Sequence, residues 1–454
     1  MALRRLLIAN RGEIALRIVR AARALGIESV LAASAADKDS LAAKEADRTV
    51  VLGPAKASLS YLDPKLVVHA AKATGCDALH PGYGFLSERT ALVTLCESNG
   101  IAFVGPTATS MDQVGGKIAA RELADGAGVP LVSGSGALPS ADEALAFAEK
   151  VGYPVVTKAS AGGGGRGMVV ARNAAELKDG FERASHEAKE AFGDGTLFLE
   201  RFVQTARHIE VQVMGDGHGK VLHFGERDCS AQRRYQKMVE EAPGAILPEN
   251  VRTRLHESAV RLLSSIKYRN AGTVEFLYDV ERQEFYFIEV NARIQVEHPV
   301  SEAICGVDLI QMQLKVAGGE PLALEQKDIQ RRGHAIEVRV IAEDPDRNFA
   351  PSPGRIKRWI PPSGDGVRLD TAMHEGAMVP PFYDSMIAKL IVSGPDRATT
   401  VQRLQSALAG FAVEGIATNI PFLRHIAAHP DYVDNRISTR WLEQVLMPSY
   451  AKNA

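Results

Sequence analysis

Five polar residues, Glu289, Asn291, Arg293, Gln295 and Glu297, recur at every second position of residues 285–299, with Val290, Ala292, Ile294 and Val296 between them. Successive side chains of an extended chain point to opposite faces. One face is therefore predicted to carry two carboxylates, an amide pair and a guanidinium. Such a pattern also suits a half-exposed strand with a wet face. The preceding segment argues for chemistry. Residues 272–278 read as a strand and 279–283 as a polar turn, so the two strands should form a hairpin. A turn centred near Arg282 sets Glu275 opposite Glu289. Like charges directly opposite destabilise a sheet, and a divalent cation between them resolves the conflict. Hard cations such as Mg²⁺ take oxygen ligands, usually one or two carboxylates plus substrate phosphates. Asn291 could supply a further oxygen from the same face. The hairpin predicts a metal–phosphate site.

A second feature is the run of four glycines, Gly162, Gly163, Gly164 and Gly165, between predicted strands 154–158 and 168–171. Gly162, Gly164 and Gly167 satisfy Gly-x-Gly-x-x-Gly, but a strand follows, so the context of a dinucleotide fingerprint is missing. No Lys-Ser/Thr follows, which excludes a P-loop. A flexible hairpin loop is one reading. Each glycine loses more conformational entropy on folding than any other residue. A flap whose bare N–H groups close over phosphate accounts better for the run, with Lys158 supplying charge beneath it. Residues 226–237 read either as a basic surface loop or as an oxyanion site, because Arg233, Arg234 and Lys237 lie close to Gln232 and Gln236. Residues 336–340 alternate and set Arg339 on the parity of Glu337. His208, His298 and His334 read as structural more readily than as catalytic.

The elements that must position these groups follow from periodicity. Strands 6–9, 27–33, 77–79 and 101–104 alternate with helices 12–25, 62–73 and 91–98. That pattern predicts a parallel sheet covered on both faces, with ligands at the carboxyl ends of its strands. The first strand–helix turn holds one glycine, Gly12, which weighs against a dinucleotide there. A helix from 107 to about 129 leads into a compact α+β unit: helix 140–151, opened by a capping-box pattern, the two strands around the glycine run, helix 173–192 and strand 197–200. Residues 207–225 read as a hairpin and 249–266 as a helix. An αβ segment closes the chain to about 446.

The 454 residues allow about three domains. A net charge of −2 gives no support for a nucleic-acid or membrane-surface partner. Four scattered cysteines without Cys-x-x-Cys suit a reducing compartment and no structural zinc. The first residues are too short in their apolar run for a signal peptide, and no stretch is apolar enough to cross a membrane. The expectation is a soluble cytoplasmic protein.

Six stretches resemble the biotin carboxylase family of ATP-grasp enzymes. They are Leu7-Ile8-Ala9-Asn10-Arg11-Gly12-Glu13-Ile14, residues 80–88 (His80-Pro81-Gly82-Tyr83-Gly84-Phe85), residues 158–168, Arg227-Asp228-Cys229-Ser230, Arg293-Ile294-Gln295-Val296-Glu297-His298-Pro299 and Ala342-Glu343-Asp344-Pro345. The resemblance runs in order over nearly the whole chain. It implies an ATP-grasp fold, part α/β and part α+β. A Rossmann-like domain (1–113) would precede linker helices and a small glycine-flap lid (114–203), a catalytic domain (204–332) and a carboxyl-terminal domain (333–447). It implies that Lys117, Lys158, Gly162, Gly163, Gly164, Gly165, Glu200, Arg201, Val203, His208, Gln232 and Tyr235 hold ATP. Glu275, Glu289 and Asn291 would hold Mg²⁺ or Mn²⁺, in line with the hairpin argument. Lys237, Arg293, Gln295 and the Val296 backbone would hold bicarbonate, with Glu297 as its general base. Tyr83 and Arg339 would face biotin, Arg339 stabilising its enolate.

Three positions depart from the family: Tyr235 where histidine is common, Ala292 for threonine and Ile341 for asparagine. No Ala-Met-Lys-Met biotinylation sequence occurs and no acyl-CoA-binding half is present. The resemblance therefore implies biotin on a separate carrier protein, a separate carboxyltransferase subunit and a homodimer. Two alternatives share parts of the pattern. Another ATP-grasp ligase would need the lid and metal hairpin but not the 293–297 stretch with Arg339. A non-catalytic nucleotide-binding regulator would not need Glu297.

Overall fold

The computed structural model describes residues 3–160 and 168–453. Gly162, Gly163, Gly164 and Gly165, the expected flap, lie outside the described residues. Strands β1 (Arg5–Ile8), β2 (Glu28–Ser34), β3 (Arg48–Gly53), β4 (Ala78–His80) and β5 (Ala102–Phe103) form a parallel sheet in the order β3-β2-β1-β4-β5. Leu6, Leu7 and Ile8 are fully buried, as expected for a central parallel strand covered on both faces. Helix α1 (Gly12–Ala24) starts at the carboxyl end of β1 and places Glu13 in its first turn. The sequence reading did not include β3, whose half-exposed edge position mixes apolar and charged residues.

The helix expected from residue 62 begins at Pro64, because Asp63 accepts from the Lys65 and Leu66 N–H groups and proline suits the first helical turn. The single helix expected over 107–129 is two, Ala108–Gly115 and Lys117–Gly126. Gly116 between them is extended (φ −88°, ψ 126°). The break makes Lys117 the first residue of its helix.

The α+β unit is an antiparallel sheet of β6 (Val155–Ala159), β7 (Val169–Ala171) and β8 (Leu197–Arg201), ordered β7-β6-β8, under helices Ala141–Val151 and Ala174–Phe192. Ser140 and Asn173 cap these helices through the Glu143 and Glu176 N–H groups. Its small apolar core includes Ala144, Ala148, Leu177, Phe181 and Leu199.

The largest layer is an eight-stranded sheet. Its members are β9 (Ala206–Asp216), β10 (Val221–Arg233), β11 (Gln236–Ala242), β12 (Arg269–Asp279), β13 (Glu284–Asn291), β14 (His334–Ile341), β15 (Val367–Thr371) and β16 (Met386–Gly394), in the order β13-β12-β9-β10-β11-β14-β16-β15. Residues 226–237 are not a surface loop: β10 runs through Arg233 and turns at Arg234 and Tyr235 into β11. Composition hid these strands because their polar side chains are paired inside the sheet. Arg227, with no exposed surface, donates to Glu210, Gln212, Thr273, Gln295 and Ser301. The sheet is continuous across residue 333, since β11 pairs with β14 from Val239↔Val338 to Ala242↔Ala335. No helix among the described residues is long and apolar enough to cross a membrane.

Candidate active site

The hairpin has the expected register. Glu275 faces Glu289 and Thr273 faces Asn291 across β12 and β13, with a register shift between Glu275 and Phe276. The alternation extends to Glu297, but the chain leaves the strand close to Arg293. The strand ends at Asn291, and helix His298–Cys305 begins soon after. The Ala292 N–H goes to the Glu88 carboxylate (3.1 Å) rather than to a neighbouring strand, and Glu88 also accepts from Arg293 Nε (3.0 Å). His298 Nδ1 lies 2.7 Å from the Gln295 carbonyl. These side-chain contacts fold the loop so that Arg293, Gln295 and Glu297 still converge on one cleft.

That cleft, of about 700 Å³, lies between the α+β unit and the eight-stranded sheet. At one end Lys158 and Arg121 both pair with the buried Glu200. Lys117 also lines this end, and burial lowers its pKa. Val156, Phe198, Val203, Leu277 and Ile288 form an apolar slot there, suited to a flat aromatic base. Arg201 is tied to Asp279 (3.3 Å) and the Tyr286 hydroxyl (3.1 Å). Gln232 is buried at the wall, and Tyr235 stands at the rim, 61% exposed with φ +63°. Such a backbone is strained for a large side chain; the Arg234 N–H of the same turn is held by Glu443 (2.7 Å).

Deeper in, Lys237 Nζ donates to Glu210, to Glu275 (2.9 Å) and to Glu297 (2.7 Å). Burial alone would discharge this ammonium. The three carboxylates outweigh it and hold its pKa well above the usual lysine range. Glu297 has 1% exposure and accepts from Arg339 Nη2 as well (3.0 Å). Burial raises its pKa, but Lys237 and Arg339 overcome that and hold it below the usual carboxylate range, so it is ionised at neutral pH. Gln295 Nε2 donates to Glu275 (2.9 Å).

His208 Nε2 lies 3.1 Å from Glu275. Burial opposes its charge, but Glu275 prevails and the pKa is pushed up to about 9. A raised histidine pKa stabilises the fold fully below the unfolded value of about 6.5 and is lost as pH rises through about 9. In the ligand-free protein this contribution is about 3 kcal/mol. Chemical denaturation across pH 6 to 10 should show the loss, and His208→Gln should flatten it.

Among the described residues two clusters, His208 with Glu210 and Glu275, and Glu210 with Cys229 and Glu297, bring their ligating atoms within 4.8 Å of one another, but Lys237 already bonds all three carboxylates. The hairpin set shares Glu275, which Lys237 holds, and differs in adding Glu289, the carboxylate facing it across the hairpin. Glu289 is exposed to the cleft, yet the surrounding walls and the facing Glu275 raise its pKa by more than His208 and Lys117 lower it. Asn291 Oδ1 accepts from Arg293 (2.8 Å), while its buried Nδ2 has no hydrogen-bond partner. Two facing carboxylates and an amide make an oxygen-rich donor set suited to Mg²⁺.

A second cavity, about 440 Å³, adjoins the first, and Lys237, Arg293, Val296 and Arg339 line both. Tyr83, Phe85, Ile341, Phe349 and Met386 give it apolar walls. Arg339 donates through Nε to Glu240 (2.6 Å). The backbone around Arg339 is fixed by Asn419, which donates to the Arg339 carbonyl (2.9 Å) and accepts from the Ile341 N–H (2.8 Å). Ile341 therefore faces the second cavity and does not hold Arg339. Sequence reasoning missed Arg121, Glu210 and Glu240. Glu210 had a signal, since it alternates with Ile209 and Val211; Arg121 and Glu240 had none.

A lid of three antiparallel strands and two helices that carries Lys158, a helix that begins at Lys117 and a carboxylate-bearing antiparallel sheet define an ATP-grasp ligase. Family models match in order: "Biotin carboxylase, N-terminal domain" over residues 2–111, "Carbamoyl-phosphate synthase L chain, ATP binding domain" over 116–325 and "Biotin carboxylase C-terminal domain" over 337–444. Biotin carboxylase 1 of Bacillus subtilis is 48% identical over 442 residues, covering 97% of this chain and 98% of the relative. A Campylobacter jejuni biotin carboxylase solved as a β,γ-ATP complex superposes with a TM-score of 0.92, at 45% identity over 97% of this chain and 98% of that one. The biotin carboxylase domain dimer of a Hydrogenobacter thermophilus 2-oxoglutarate carboxylase, solved with MgADP, ADP and bicarbonate, gives 0.90, at 44% identity and 98% of both chains. The chain belongs to the biotin carboxylase family, ligases that use ATP and bicarbonate in the first half-reaction of biotin-dependent carboxylases.

Proposed function

We propose that this chain carboxylates biotin carried on a separate protein, with the residues described above in specific roles. Lys117, Lys158, Gly162, Gly163, Gly164, Gly165, Glu200, Arg201, Val203, His208, Gln232 and Tyr235 hold ATP. Glu275, Glu289 and Asn291 hold Mg²⁺ or Mn²⁺, which when bound neutralises phosphate charge and orients the γ-phosphate. Lys237, Arg293, Gln295 and the Val296 N–H cradle bicarbonate. Glu297 removes the bicarbonate proton, and a bicarbonate oxygen attacks the γ-phosphate to give carboxyphosphate and ADP. Carboxyphosphate breaks down to CO₂ and phosphate. The phosphate takes the proton from the ureido nitrogen of biotin, and that nitrogen attacks CO₂. Arg339 stabilises the negative charge that develops on the ureido oxygen, and Tyr83 lies beside the ring.

The observation that carries this reading is Glu297 held between Lys237 (2.7 Å) and Arg339 (3.0 Å) where the two cavities meet. A base so placed can serve bicarbonate from the nucleotide side while Arg339 serves a second substrate from the other. The carrier and carboxyltransferase are separate proteins, the chain is a homodimer in the cytoplasm, and its units are 1–113, 114–203, 204–332 and 333–447, the last two joined by one sheet. The test is transfer of radiolabel from bicarbonate to a biotinylated carrier domain. Label on the carrier that depends on Mg-ATP supports the reading, and ATP turnover without labelled carrier contradicts it. Ile341→Asn should shift the KM for biotin severalfold and leave the KM for bicarbonate within twofold; equal shifts in steady-state kinetics would place Ile341 at the bicarbonate site instead.

A further inference from the structure

Lys389 lies on β16 directly opposite Arg339 of β14, with none of its surface exposed. Nothing in the reaction as described uses it. Its Nζ donates to the Val296 carbonyl (2.9 Å) and lies 3.2 Å from Glu13 and 4.0 Å from Asp370. It is also 5.9 Å from the centre of the Tyr83 ring. Glu13 accepts from the Tyr83 hydroxyl, and its second oxygen is buried without a hydrogen-bond partner. One ammonium thus joins the first turn of α1, the loop after β4 that carries Tyr83 and the loop that carries Val296 and Glu297. These segments are remote in sequence, and each lines the second cavity or the wall it shares with the first.

A buried ammonium is costly unless paired and hydrogen-bonded. Glu13, the buried Glu337 and Asp370 favour the charge, and the Val296 carbonyl accepts from the ammonium in a further direction. The peptide held in this way joins Val296 to Glu297, so its orientation sets where the Glu297 carboxylate starts. Glu13 extends the same link to Tyr83.

We infer that Lys389 is a positioning residue that registers the bicarbonate loop, through Val296, with the biotin-facing Tyr83, through Glu13. The inference rests on the biotin carboxylation reading. Lys389→Met keeps the length of the side chain and removes the charge and the donor. Steady-state kinetics on the full chain should show the KM for bicarbonate and the KM for biotin each raised about tenfold, with the KM for ATP within twofold. Glu13→Gln, which keeps the hydrogen-bonding shape at Tyr83, should raise the biotin KM more than the bicarbonate KM. It also keeps the inference testable if Lys389→Met does not fold. Unchanged bicarbonate and biotin KM values in both variants, or a fall in kcat with every KM unchanged, would overturn the inference while leaving the reaction intact. A wild-type chain whose ATP turnover ignores biotin would overturn the reading on which it rests, and the inference with it.

Discussion

Glu297→Gln is expected to lower bicarbonate-dependent ATP turnover by about 10²- to 10⁴-fold, the range for loss of a positioned general base. The side chain keeps its shape, and its single amide oxygen can accept from Lys237 or from Arg339 but not from both; it cannot take a proton. Lys237 retains Glu210 and Glu275 as partners, and Arg339 retains Glu240, so neither cation is stranded in the interior. The variant should therefore fold, and Mg-nucleotide should bind it as tightly as it binds the wild type. Turnover measured by ADP release, beside nucleotide affinity by titration calorimetry, separates the two effects. A variant that loses affinity in proportion to turnover would show that Glu297 belongs to the nucleotide site and not to bicarbonate.

The second large effect is expected at the metal hairpin. Glu275→Gln together with Glu289→Gln should weaken Mg-nucleotide binding by more than about 100-fold, since even groups that only support metal ligands cost 10- to 100-fold. The two positions are not equivalent. Glu275 also bonds Lys237 and Gln295 and pairs with His208, so its loss disturbs the neighbouring cations. Glu289 is exposed at the cleft, its pKa raised by the desolvating walls around it and by Glu275. Glu289→Gln alone should relieve that repulsion and raise the stability of the Mg-free protein by up to about 1 kcal/mol, while lowering Mg-nucleotide affinity. Opposite signs in a denaturation curve and a binding isotherm are the mark of a ligand. A variant that lost stability and kept its affinity would make Glu289 an ordinary structural carboxylate.

Much of this arrangement was legible because the chemistry forced an unusual local pattern. The facing of Glu275 and Glu289 could be counted from the turn, and the observed register agrees. The parallel amino-terminal sheet followed from short apolar runs separated by helical stripes. What the pattern hid was polar material buried by mutual pairing. Arg227 reads as a surface charge in the sequence, yet it lies inside the sheet because Glu210, Gln212, Thr273, Gln295 and Ser301, from four separate segments, complete its hydrogen bonds. No local period reports such a set. The same holds for Glu240, which meets Arg339 only through the pairing of β11 with β14. The alternation through Glu297 singled out residues that line one cleft, although the strand ends at Asn291. Their convergence depends on Glu88, more than two hundred positions away, taking the Ala292 N–H.

The departures from the family pattern also gained physical content. Ile341 has no part in holding Arg339, because Asn419 fixes the backbone on both sides of Val340. Tyr235 keeps a place at the rim of the nucleotide cleft on a turn anchored by Glu443. Both substitutions leave the charged centre formed by Lys237, Glu297 and Arg339 complete.

The most direct test of the central claim is ADP release by the purified chain with Mg²⁺ and bicarbonate, with and without free biotin, run beside Glu297→Gln. The account predicts bicarbonate-dependent release that biotin stimulates and that the variant loses. Release indifferent to biotin, or equal in wild type and variant, would contradict it and assign the cleft to a different ATP-grasp substrate.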